Sequence, residues 1–270
     1  MVTRQSVCRY LQCTLIWCIL LIAQSQVLYS QANVLIFSSG DPHKDSELGE
    51  LIAGYGHKVI LGVEFPKYTG GGLTGVDVVL LQAGQDWSDK DMPSSGQREL
   101  LDFVASGGGL ITTRPVLWNM GEGSEFAALR SAFPAVPENV TSSGNSISYA
   151  QNSLDSVLNA GLPAYFSFET GSRNASETHF APRPGATVFF ESGQQDSNKA
   201  AGVIGWNYGA GRVLSLSALL DEVAIKDANC SRLLHNSIVW TTPIPEPSAG
   251  LMAVLVTVAV GMRRRRKSVG

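Results

Sequence analysis

Four short stretches of this chain are apolar on consecutive residues, so an extended segment built from any of them has no face that can meet water. They are "NVLIFSS" from Asn33, "HKVILGVE" from His57, "VDVVLLQAG" from Val76 and "GGLITTRP" from Gly108. Short apolar runs bounded by turn residues read as buried strands. Between the first two, "KDSELGELIAGYG" sets Leu48, Leu51 and Ile52 at helical spacing and ends in glycine; between the last two, "SSGQRELLDFVASG" sets Leu100, Leu101 and Val104 on one helical face. Strands buried on both faces and alternating with helices predict a parallel sheet covered on both sides, in an α/β fold. The later half changes character. After "GSEFAALRSAF", which reads as a helix, come the short β segments "SISYA", "AYFSFE", "ATVFFES" and "AAGVIGWNY"; "GRVLSLSAL" follows "YGAG" as in a hairpin, and "DANCSRLLHNSIVW" reads as a closing helix. "GGGLTG", from Gly70, has the spacing of a dinucleotide-binding loop but precedes a strand instead of leading from one into a helix, so it reads as a plain loop.

Both ends of the chain are of a different kind. "MVTRQSVCRYLQC" carries Arg4 and Arg9 and no acid, "TLIWCILLIA" is apolar, and Ser30 and Ala32 form a small-x-small pattern. That is the order of a secretory signal peptide, with cleavage expected after Ala32. At the other end, Ser248 to Met262 is uncharged and is followed at once by Arg263, Arg264, Arg265, Arg266 and Lys267. As a helix it would span roughly 22 Å, a marginal crossing of a hydrocarbon core of about 30 Å. The basic cluster would stay on the cytoplasmic side and leave the preceding chain outside. "PIPEPSAGLMAVLVTVAVGMRRRRK", with Pro245, Glu246 and Pro247 before the apolar stretch, resembles the PEP-CTERM sorting signal of bacterial envelope and matrix proteins. The resemblance implies recognition by an exosortase-type membrane peptidase, membrane attachment through the C-terminal helix before processing, and a final place at the cell envelope or outside the cell. The expected organisation is a signal peptide over 1–32, an α/β domain over 33–242 and a sorting signal over 243–270.

Charge narrows the partners. The chain has 20 Lys and Arg against 23 Asp and Glu; seven of the bases and one acid lie in the two terminal segments, which leaves the domain with 13 against 22, near −9. Such a surface disfavours nucleic acid and anionic lipid. Of the four cysteines, Cys8, Cys13 and Cys18 lie in the leader and Cys230 alone falls in the domain, so no internal disulfide is available and the core must hold the fold.

Six segments in order, "VDVVLLQAG", "LLDFVASGGGLITTRP", "VLNAGLPAYF", "PGATVFFES", "GAGRVLSLSAL" and "LLHNSIVW", resemble ThuA-like domains of the class I glutamine-amidotransferase-like superfamily. The resemblance implies a flavodoxin-like, doubly wound, mostly parallel sheet with additional β segments in the later half, and ligands at the carboxyl ends of the parallel strands. It also implies a cysteine on the turn after a strand, activated by a histidine. Here that turn holds Thr112, Thr113 and Arg114, and the late strand offers Ser215, Ser217, Asp221 and Glu222 where ThuA-like members tend to show Gly-His. Threonine without an adjacent base is a poor nucleophile. G-x-S-x-G, H-E-x-x-H, Walker and C-x-x-C motifs are absent, and no cofactor is expected.

Polar residues at the strand ends remain candidates for a ligand site: Ser39, Asp41 and His43 after the first strand, Gln85 and Asp86 after the third, and Arg114 after the fourth. The structural reading of the same residues is helix capping by the aspartates, turn bonding by the serines and an ion pair at Arg114. A sugar or small polar ligand, stacked on Trp87 or Trp118, is the functional reading, and a divalent metal on Asp41, His43 and Asp86 is a further one. The expected function is a surface or matrix protein whose domain binds or supports instead of catalysing, with a surface polysaccharide as a candidate partner. The alternative is a carbohydrate-active hydrolase or isomerase working through Asp41 and Asp86.

Overall fold

In a computed structural model, which describes residues 31–82, 90–123, 125–172 and 176–243, each of the four apolar runs is a strand. These are β1 (Asn33–Ile36), β2 (Lys58–Leu61), β3 (Val78–Leu81) and β4 (Gly109–Thr112). They pair in parallel in the order β2-β1-β3-β4, with Val34 between Val59 and Val78 and with Leu80 opposite Ile111. A fifth strand, β11 (Gly211–Leu216), lies parallel to β4 on its far side and completes a flavodoxin-like order.

Four helices, α1 (Pro42–Gly54), α2 (Ser94–Ala105), α3 (Arg114–Glu122) and α4 (Ala228–Thr241), accompany these strands. Alternate strand residues explain why the runs at β1, β3 and β4 are apolar throughout, whereas β2, expected to be covered on both faces, is the edge strand and leaves Leu61 56% exposed. Val34, Ile36, Val78, Leu80 and Ile111 pack with Leu48 and Ile52 of α1 and with Leu233, Leu234 and Ile238 of α4. Leu35, Phe37, Val79, Leu81 and Leu110, pointing the other way, pack with Leu100 and Val104 of α2 and with Val116 and Met120 of α3. Burial of each such side chain stabilises the fold by about 1.5–3 kcal/mol, and a polar residue at any of these positions would meet apolar neighbours on either face.

Local signals set the helix ends. The Asp41 carboxylate accepts the N–H groups of His43 and Lys44, with Pro42 in the first turn, and Asp227 does the same for Asn229 and Cys230 of α4. Gly56, at φ +90°, closes α1 in a conformation that a side chain would strain, and it delivers His57 to the start of β2. One expected helix is absent. The segment "GSEFAALRSAF" forms, from Glu125 on, turns and a short 3-10 helix, Arg130–Ala132, while the α-helix begins earlier, at Arg114. Phe126 adopts φ +55°, and the Arg130 guanidinium donates to the carbonyls of Met120, Gly123 and Glu125, which wraps the chain around that side chain.

The later β segments extend the same sheet. β10 (Ala201–Tyr208) forms an antiparallel hairpin with β11, and β9 (Thr187–Ser192), β6 (Ser146–Gln151) and β7 (Tyr165–Glu169) follow outward, all antiparallel, giving nine strands. β5 (Ala135–Thr141) and β8 (Thr178–Pro182) make a separate antiparallel pair. Leu117 of α3, Ala135, Phe180, Ala201 and Ile204 share a small apolar cluster, which joins that pair to α3 and β10. No helix among the described residues is long and apolar enough to cross a membrane. The leader up to Ser30, and the tail with Pro245, Glu246, Pro247 and Arg263 to Arg266, lie outside the described residues.

Candidate functional site

Because β1, β3, β4 and β11 run parallel, their carboxyl ends share one edge of the sheet, where a doubly wound fold places its ligands. At the β1 end a tight hydrogen-bonded turn holds two of the expected site residues. The Ser38 hydroxyl donates to Asp45 Oδ2 at 2.6 Å, and Asp45 Oδ1 accepts the Ser39 N–H at 2.8 Å. Ser39 Oγ accepts the Asp41 N–H at 3.2 Å, and Asp41 Oδ1 accepts the His43 N–H at 3.0 Å. Ser39 and Asp41 thus lie side by side, bonded to backbone of their own turn. The His43 side chain points outward, 80% exposed, with Nδ1 4.0 Å from Glu47. At the β3 end Gln82 Nε2 donates to the Phe37 carbonyl at 3.1 Å, tying the two strand ends together. Gln85, Asp86 and Trp87 lie outside the described residues, and no group of three or more His, Cys, Asp or Glu among the described residues could hold a metal ion.

The centre of the edge is closed. Arg114, the first residue of α3, is 5% exposed; its N–H donates to the Ala218 carbonyl at 3.1 Å and its own carbonyl accepts the Thr178 hydroxyl at 3.2 Å. Burial pulls its guanidinium down to about 10. Thr112 and Ser215, paired across β4 and β11, are fully buried with their hydroxyls 2.8 Å apart. Thr113 is the N-cap of α3, its carbonyl accepting the N–H groups of Val116 and Leu117.

Beyond β11 lies a polar cluster that the strand-end reasoning missed. Glu177 is bridged to Ala218 beside the end of β11 and is fully buried. Its carboxylate accepts hydrogen bonds from Ser217 Oγ and, at 2.7 Å, from Ser192 Oγ, and the Tyr149 hydroxyl lies 2.9 Å from Ser217 Oγ. With Ser217 donating to the carboxylate, its oxygen is left to accept from Tyr149. Burial pushes the Glu177 carboxyl up, and the hydroxyls of Ser217 and Ser192 with the side chains of Gln195 and Ser142 pull partly against it. Tyr149 is pushed well up by burial and then by the charge of Glu177. Next to the cluster, Ser142 Oγ and His179 Nε2 are 2.9 Å apart. Chemically the arrangement is a carboxylate enclosed by the protein's own hydroxyls, and it links β6, β9 and β11 to the segment entering β8.

Cys230 is 1% exposed on the buried face of α4, and burial pushes its thiol up. Iodoacetamide near neutral pH should therefore label the unfolded chain readily and the folded protein at least roughly a hundredfold more slowly, read by intact mass. Rapid labelling of the folded protein would show that the thiol is accessible and ionised.

Comparison with solved structures places this geometry. A cytoplasmic protein from Salmonella typhimurium superposes with a TM-score of 0.59 at 14% identity, over 79% of this chain and 100% of its own. A ThuA-like protein from Parabacteroides merdae gives a TM-score of 0.56 at 12% identity, over 81% and 94%. The fold is ThuA-like. A β-galactosidase from Bacillus circulans shares it at a TM-score of 0.54 and 14% identity, over 78% of this chain and 32% of that one. At these identities what the ThuA-like neighbours have in common with the chain is the fold. No protein-family model and no curated protein sequence matches it.

Proposed function

We propose that this is an exported protein of the cell surface or extracellular matrix, sorted by an exosortase-type membrane peptidase, and that its ThuA-like domain acts there as a binding or structural module and not as a catalyst. The observation that carries the second half is the closure of both positions where the superfamily resemblance would put reacting groups. At the end of β4, Thr112 is buried against Ser215; after β11, Ser217 is buried against Glu177. Neither hydroxyl has a base beside it in an opening to substrate, which nucleophilic catalysis needs. Export and sorting rest on the leader and on the ordered Pro-Glu-Pro, apolar stretch and basic cluster at the C-terminus.

Replacing Arg263, Arg264, Arg265 and Arg266 together by Ser tests the sorting half. The exported chain should then be misdirected or held in the membrane with its C-terminus uncut, as read by cell fractionation and mass spectrometry of the C-terminal peptide. Unchanged fractionation with an unchanged mature C-terminus would remove the sorting reading. For the domain, binding of the purified exported protein to the cells' own surface polysaccharide without release of saccharide is the expected result. Saccharide release that Asp41→Asn abolishes would favour the hydrolase instead, with Asp41 working beyond its capping of α1.

A further inference from the structure

The start of β1 depends on the residue before it. Ala32 is fully buried in the same apolar cluster as Leu48 and Ile52 of α1. Its N–H donates to His57 Nδ1 at 3.3 Å, and its carbonyl accepts the Lys58 N–H at 2.9 Å. Those contacts reach further in. Because Nδ1 of His57 accepts from Ala32, the ring carries its proton on Nε2 and donates it to His235 Nδ1, 3.1 Å away. His235 is in turn stacked on Tyr55, with ring centroids 4.4 Å apart. Ala32 is thus the outer end of a chain of contacts that ties α1, β2 and α4 together.

The leader holds two small-x-small patterns, Ser30 with Ala32 and Ala23 with Ser25. Cleavage after Ala32 would remove its buried methyl and leave His57 Nδ1 and the Lys58 N–H without their present partners. The new ammonium at Asn33 would gain only a partly buried pairing with Asp77 Oδ2, which already accepts the Asn33 N–H at 2.7 Å. Cleavage at the other pattern keeps every contact of Ala32. We propose that the leader is removed after Ser25, so that the mature protein begins at Gln26 and retains Ala32 as part of its core. Water adds across the Ser25–Gln26 peptide bond in a signal peptidase, leaving a carboxylate on Ser25 and an amine on Gln26. This deepens the export reading above and rests on it.

The test is to express the full chain with its own leader in an exporting bacterium and to read the N-terminus of the exported protein by mass spectrometry. A start at Gln26, as the amine or as the pyroglutamate that N-terminal glutamine forms by losing ammonia, is the expected result. A start at Asn33, or at any other residue, overturns the assignment while leaving export intact; a full-length chain beginning at Met1 and kept in the cytoplasm overturns the export reading itself. In a second arm, Ser25→Leu should abolish the Gln26 start, leaving unprocessed precursor or a product cut after Ala32 that melts about 5 °C below the wild type. An unchanged N-terminus in that variant would also overturn the proposal.

Discussion

Glu177→Ala should lower the melting temperature by roughly 6 to 12 °C, a loss of about 3 kcal/mol in a domain of this size. The carboxylate is fully buried and accepts from Ser217 and Ser192, so truncation leaves those two hydroxyls without their acceptor beside an empty volume, with Tyr149 still bonded to Ser217. Each buried polar group left unpaired costs about 1–3 kcal/mol. The hydroxyls can recover part of that by bonding one another, which keeps the expected total near the size of one lost group. Glu177→Gln separates charge from shape. Since burial holds the folded carboxyl above its ordinary value of 4.5, its contribution to stability is full below about pH 4.5 and is lost as pH rises through the folded value. The Gln variant should therefore gain on the wild type as pH is raised, in calorimetric scans of both proteins. A Glu177→Ala shift below about 2 °C, the size of a surface substitution, would mean that the cluster does not join the strands as described.

Acid should weaken the contact between His57 and His235. Burial pulls both rings down; for His235, to about 4, the charge of His57 and the nearby Arg232 add to the burial. Neutral rings are preferred in the folded state, so the stability they contribute is present above the ordinary value of 6.5 and is lost as pH falls from there towards about 4. His235→Gln keeps an acceptor for His57 Nε2 and removes one titrating ring. Between pH 6.5 and 4 the wild type should lose on the order of 2 kcal/mol more than this variant, measured by urea unfolding at each pH. Carboxylates titrate in the same range in both proteins, so the difference between them isolates the ring. Parallel curves would mean that the pair takes up its proton without opening.

The parallel half of the sheet was legible because its residues are constrained twice over. A strand such as Val78–Leu81, apolar at every position, has one solution, burial between two layers, and the helices that supply those layers announce themselves by Leu48 and Ile52 or Leu234 and Ile238 at helical spacing. The misplaced helix shows where such reasoning fails. Pro115 closes the strand segment "GGLITTRP" in the sequence reading, whereas in the first turn of a helix its missing N–H costs nothing, and α3 begins at Arg114. At the β1 end, Asp41 and Ser39 carry the capping and turn bonds that the structural reading assigns to them. Glu177 could not be singled out. It stands in the polar stretch "SETH", where a lone acid reads as solvated, and its burial is created by Ser192 and Ser217, 15 and 40 residues further along.

The central place of β11 also fixes when the fold can close. Thr112 waits for Ser215, 103 residues later, and the face of β1 that α1 covers in part is closed only when α4 arrives with His235, 178 residues after His57. Local hairpins such as β10 with β11 can form as soon as they are made, but in the parallel half the layer that α1 begins is completed only when the last helix docks. Folds dominated by such distant pairings assemble slowly, because a long loop must be closed before its contacts stabilise anything. For a chain threaded through a membrane channel from its N-terminus, as the proposed route requires, that delay is useful. The polypeptide stays extended enough to pass, and the event that locks it is the emergence of its final helix on the far side.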